Sequence, residues 1–152
     1  MARRIFISCD YDDRMKAKGF NLLRWSKNVR VEFVGRHLLD PVDSKNADYI
    51  TRMIKEQLKG TSVTVVLVGR HTAESEWVAK EIDWSLEKGN GVLAICLENG
   101  VAIPDLLRKC GAEVIPWEPD RFEAAIERAA AQAERVKELQ GAGVGGGGGC
   151  AR

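Results

Sequence analysis

Ser62-Val63-Thr64-Val65-Val66-Leu67-Val68 is the most apolar stretch of the chain, with Gly60 and Gly69 on either side. A run of β-branched and aliphatic residues without polar alternation has no face suited to water. It therefore reads as a strand buried on both faces, the kind that sits inside a parallel sheet covered by helices. Gly91-Val92-Leu93-Ala94-Ile95-Cys96-Leu97 has the same character, and Arg4-Ile5-Phe6-Ile7-Ser8-Cys9 is a shorter version of it. Buried strands separated by helical patterns predict an α/β chain.

Outward from these strands the remaining elements follow. The polar cluster Asp10-Tyr11-Asp12-Asp13 ends the first strand, and residues 12–27 predict a helix weakened by Gly19. Val29 to Val34 alternates apolar and polar residues, as a half-exposed second strand would. Gly35 to Asn46, with Pro41 inside it, reads as a long loop, and loops of that length are often functional. Ile50, Met53, Ile54 and Leu58 recur at helical spacing within 47–59, with Gly60 as the stop. Ser75 is the natural N-cap of a helix running to Lys88. Residues 98–111 read as irregular, broken by Pro104, and Glu113 to Pro116 as a short last strand. A final helix over 120–140 carries the stripe Phe122, Ile126, Ala129, Ala133 and Val136. The order predicts a flavodoxin-like, three-layer fold around a parallel central sheet, one domain over residues 1–140.

Residues 141–152 differ in kind. They hold seven of the 15 glycines, five of them consecutive, and predict a flexible tail because so little apolar surface is available to offset ordering.

Composition excludes several classes of function. Lys and Arg total 23 against 22 Asp and Glu, a balance unlike that of a dedicated nucleic-acid binder. No apolar run is long enough to span a bilayer, and the stretch after Met1-Ala2-Arg3-Arg4 is too short for a secretory signal. Cys9, Cys96, Cys110 and Cys150 share no ligand or disulfide spacing, and only His37 and His71 are present, so no metal site is expected. Cys9 and Cys96 read as buried thiols, and the compartment as a reducing cytoplasm.

In open parallel sheets, ligands bind beyond the carboxyl ends of the strands. Asp10, Asp12 and Asp13 would suit Mg²⁺ in a phosphoryl-accepting receiver, but the central strand ends in Val68-Gly69-Arg70 where the acceptor aspartate is needed. A dinucleotide fold of Rossmann type needs Gly-x-Gly-x-x-Gly after the first strand, and the turn here is Ser-Cys-Asp-Tyr-Asp-Asp. Trp77 and Glu81 are four residues apart and share one helix face. An indole to stack on, with a carboxylate to grip ribose hydroxyls or stabilise an oxocarbenium-like centre, suits cleavage of an N-glycosidic bond. Spacing alone favours the plainer reading, with Trp77 as core and Glu81 as a solvated helix residue.

Ser75-x-Trp77-x-x-x-Glu81 resembles the TIR-domain motif Ser-x-Trp-Cys-x-x-Glu, with Val78 in the cysteine's place. Ile5-Phe6-Ile7-Ser8-Cys9-Asp10-Tyr11 resembles the TIR opening strand. Asp48-Tyr49-Ile50, Thr61 through Gly69, Trp77-Val78 through Glu81-Ile82, and Ser85 through Asn90 are similar to the TIR-like ThsB proteins of bacterial Thoeris antiphage defence. The likeness is good over about residues 3–98, and several blocks in order are far more specific than one motif.

This resemblance implies an enzyme for which NAD⁺ is substrate rather than cofactor, with Glu81 catalytic. Nicotinamide would leave, and capture of the ADP-ribosyl part by water or by an internal nucleophile would give ADP-ribose or a cyclic isomer. The messenger would activate a separate effector protein. Phe6, Ser8 and Asp10 would line the pocket with Trp77, and Arg36, in the loop after the second strand, would meet the pyrophosphate. Trp84 and Trp25 are expected in the core and His71 at the surface. A homo-oligomer fits the same family, with neither nucleic acid nor membrane as partner. The competing expectation is a non-catalytic TIR module that signals by assembly alone.

Overall fold

The computed structural model describes residues 3–13, 15–16, 29–32 and 47–142. Five strands, β1 (Arg3–Cys9), β2 (Val29–Glu32), β3 (Val63–Val68), β4 (Gly91–Cys96) and β5 (Glu113–Pro116), form one sheet in the order β2-β1-β3-β4-β5. Every neighbouring pair is parallel. This is the flavodoxin-like order expected from the sequence. Among the described residues the helices with both ends given are α1 (Ala47–Leu58), α2 (Glu76–Lys88), α3 (Asp105–Lys109) and α4 (Phe122–Ala142).

All six residues of β3 are buried, as their unbroken apolar character requires. The two-residue period of a strand sorts β1 between two cores. Ile5, Ile7 and Cys9 join Val63, Val65 and Leu67 against Phe122, Ala125, Ile126 and Ala129 of α4. Phe6 turns the other way, into a cluster with Ile50, Ile54 and Leu58 of α1. Val66, Val68, Val92 and Ala94 pack on that same side against Val78 and Ile82 of α2 and Leu107 of α3. Among the described residues the result is three layers: α4, the sheet, then α1 to α3.

Local chemistry sets the boundaries of α2. The Ser75 hydroxyl accepts the Val78 N–H at 3.2 Å, and Gly89 closes the helix at φ +90°, a left-handed conformation open to glycine. At Gly91 a side chain is excluded for a different reason. A Cβ there would lie 2.3 Å from the Ala129 carbonyl oxygen, so glycine permits α4 to sit on the start of β4.

Some expectations need correction. Residues 98–111 are not irregular throughout, since α3 occupies Asp105–Lys109. Pro104 stands at its N-cap with φ −54°, so the ring starts this helix rather than breaking a longer one. Cys96 is half-buried, because it closes β4 where the strand leaves the core. Trp84 is half-buried too, laid over the Phe6 cluster. His71 is exposed as expected but stands 3.7 Å from Glu74. The final helix starts at Phe122, after a 3₁₀ turn over Pro119–Arg121, and continues to Ala142. Most of the expected 12–27 helix, the 35–46 loop with Arg36, Trp25, and residues 143–152 of the expected tail lie outside the described residues.

Candidate active site

Ser8 is the third even-numbered position of β1, out of phase with the Ile5, Ile7 and Cys9 side chains that face α4, so its hydroxyl faces the layer holding α2. Glu81 stands in the second turn of α2 on the face that meets β1. The two side chains meet there: Ser8 Oγ donates to Glu81 Oε1 at 2.6 Å. Both are buried, Glu81 with only 1% of its surface exposed. A buried carboxylate is costly unless hydrogen bonds offset its lost hydration. The short bond from a strand hydroxyl answers that need at Oε1 and fixes the carboxylate's direction.

More acid gathers where β1 ends. Asp10, half-buried, accepts the Asp12 N–H on Oδ2 at 3.2 Å, and the Asp13 N–H donates to the Asp10 carbonyl at 2.9 Å. The chain thus turns tightly and folds Asp13 back against Gly69 at the end of β3. Burial raises the proton affinity of the Asp13 carboxyl, the Asp10 charge raises it further, and Lys16 opposes both. Cys9 reports the same field. Burial pushes its thiol pKa strongly up, and the charges of Glu81, Asp13 and Asp10 add to the effect. Such a thiol is a poor nucleophile. Carboxylates converging on a strand end favour a ligand atom that is positive or becomes so.

Trp77 lies one turn before Glu81. It is half-buried, meets Trp84 edge-on with ring centroids 6.4 Å apart, and carries the Lys80 ammonium 4.8 Å from its ring centre. Phe6 is fully buried beneath these indoles, so it supports the site from the core and offers no surface to a ligand. The structure therefore brings Ser8 and Glu81 into contact, sets Asp10 at the end of the same strand and Trp77 on the same helix. Among the described residues, no group of three or more His, Cys, Asp or Glu side chains is arranged to hold a metal ion. No helix among them is long and apolar enough to cross a membrane.

Sequence reading missed a second polar system. Thr61, Thr64, Ser85 and Asn90 are all buried and hydrogen-bonded to one another between β3 and α2. One signal was available. Thr64 is the lone polar residue of the otherwise aliphatic β3, and Ser85 falls one helical turn after Glu81. A cavity of about 280 Å³ lies at the opposite end of the sheet, lined by Lys88, Asn90, Gly91, Cys110, Val136 and Lys137 among others. It contains none of the residues expected to bind substrate.

Residues 6–101 match the family model described as Thoeris protein ThsB, TIR-like domain. A curated protein of Bacillus cereus (strain MSX-D12), named "Putative cyclic ADP-D-ribose synthase ThsB1", is 33% identical over 100 residues. The alignment takes in 62% of this chain and 52% of that protein, so the chain spans about half the length of the relative it matches.

Proposed function

The chain belongs to the ThsB TIR-like domain family, and from that premise we propose that it cleaves NAD⁺, releasing nicotinamide and forming an ADP-ribose-derived, cyclic signal. The observation that carries this reading is the Ser8–Glu81 hydrogen bond at the carboxyl end of β1, with Trp77 one turn away on α2. Loss of nicotinamide leaves positive charge on the ribose carbon. A carboxylate held by one hydroxyl, in an acidic surround, stabilises that charge without first having to reorganise. The printed name of the Bacillus relative supports a cyclic product.

Each residue then has a task. Glu81 faces the ribose, Ser8 holds its carboxylate in one direction, and Trp77 offers an aromatic wall for the leaving base. Asp10 adds to the negative field. Arg36 is assigned to the pyrophosphate. The signal acts on a separate effector protein in antiphage defence, in the cytoplasm, and the chain works as a homo-oligomer. Substrate reaches Glu81 only when neighbouring groups give way, because the carboxylate is almost fully covered. That burial also favours a second reading, a module that signals by assembly without turnover.

One experiment separates the two. Small molecules are extracted from cells expressing the chain or its Glu81→Gln variant, before and after phage challenge, and analysed by mass spectrometry. The enzyme reading expects NAD⁺ loss and a cyclic ADP-ribose isomer in challenged wild-type cells and neither in the variant. Protection from phage with unchanged NAD⁺ in both strains would establish the assembly reading.

A further inference from the structure

Ser85 Oγ donates to the Glu81 carbonyl at 2.7 Å and lies 2.7 Å from Thr64 Oγ1. A serine hydroxyl has one proton. Since that proton goes to Glu81, the Thr64 hydroxyl must supply the proton of the Thr64–Ser85 bond. Thr64 Oγ1 in turn accepts from Asn90 Nδ2 at 3.2 Å, and Asn90 Oδ1 accepts from the Lys88 ammonium at 3.0 Å. The second Asn90 proton goes to Thr61 Oγ1 at 3.1 Å, and a second Lys88 proton to the Thr61 carbonyl at 2.6 Å. Every bond along Lys88, Asn90, Thr64, Ser85 and Glu81 therefore points the same way, ending on the peptide carbonyl of Glu81. Bonds aligned in this manner polarise and strengthen one another.

We infer that this chain is a positioning device for Glu81, with Thr64, Ser85 and Asn90 acting on the reaction through the backbone of α2. The inference rests on the proposed role of Glu81. Folding alone gives little reason for the arrangement. Thr64 is surrounded by Val63, Val65 and Val66 in a strand buried throughout, where valine would fill the same volume without a hydroxyl to satisfy. A serine bonded to the carbonyl four residues back also tends to bend a helix slightly. Here that bond spans the turn that begins at Glu81. Glu81 is then held at two points, its side chain by Ser8 of β1 and its carbonyl through Ser85 by Thr64 of β3. The two anchors lie on adjacent strands, and small errors of placement are costly to catalysis.

The test uses the purified full chain under conditions where the wild type releases nicotinamide from NAD⁺, with Glu81→Gln as reference. Thr64→Val removes the hydroxyl at nearly constant volume, Thr64→Ser retains it, and Ser85→Ala cuts the chain at the next link. A positioning role predicts that kcat falls about tenfold in Thr64→Val and Ser85→Ala, with KM within about twofold. Thr64→Ser, although it loses a buried methyl group, should recover most of the kcat. Melting curves on the same samples establish that each variant is folded at the assay temperature. Should Thr64→Val misfold, the comparison of Ser85→Ala with wild type decides. A kcat unchanged in folded Thr64→Val or Ser85→Ala, beside an inactive Glu81→Gln, would overturn the inference alone. A fully active Glu81→Gln would overturn the assignment of Glu81 and the inference with it.

Discussion

At the scale of single residues, Ser8 and Glu81 are mutually dependent. Ser8→Ala withdraws the donor 2.6 Å from Glu81 Oε1 and leaves a buried oxygen without it. Such a loss costs about 1–3 kcal/mol, so urea denaturation should show a lower midpoint, and nicotinamide release should slow. Asp13 behaves in the opposite sense. Its carboxyl binds a proton more tightly in the folded protein than at its ordinary value of 3.8, first through burial and then through Asp10. Ionised Asp13 therefore opposes folding. That penalty is absent below pH 3.8, grows as pH rises through the folded-state value, and is complete above it. Asp13→Asn should raise the melting temperature at pH 7, with the gain shrinking on acidification and vanishing below pH 3.8. A gain that persists unchanged at low pH would show that charge is not its source. The pairing of Trp77 with Glu81 was legible in the sequence as a helix face. The bond from Ser8 was not, because a residue 73 positions away is brought near only by the packing of α2 on β1.

At the scale of elements, strands were easier to read than the connections between them. β3 and β4 announce themselves by unbroken apolar character, and α2 by its serine cap. α3 escaped notice because five residues give too short a period to detect, and because a proline marks a helix start as well as a helix end. The Thr64–Ser85–Asn90 chain escaped for another reason: its members belong to a strand, a helix and the turn between α2 and β4. The contact of α4 with β4 is testable directly. Gly91→Ala would put a methyl group 2.3 Å from a backbone oxygen that cannot move without displacing α4. Overpacking of this kind costs about 1–3 kcal/mol. Chemical denaturation should register the loss, while Gly141→Ala, where an added Cβ meets nothing, should leave stability nearly unchanged.

At the scale of the whole molecule, the parallel sheet gathers carboxylates at one end and close packing at the other. Ser8 lies near the carboxyl end of β1 and Asp10 and Asp13 follow it, whereas Gly91 and Lys88 serve the opposite end of the sheet. The aligned bonds from Lys88 to Glu81 join the two ends through the interior. The central claim is that the Glu81 carboxylate performs cleavage of the nicotinamide–ribose bond. The most direct measurement follows nicotinamide release from NAD⁺ by the purified full chain and by Glu81→Gln, under conditions where the wild type turns over and with both proteins verified as folded. The account predicts a rate about 10²–10³ lower in the variant. Equal rates in two folded proteins would contradict it.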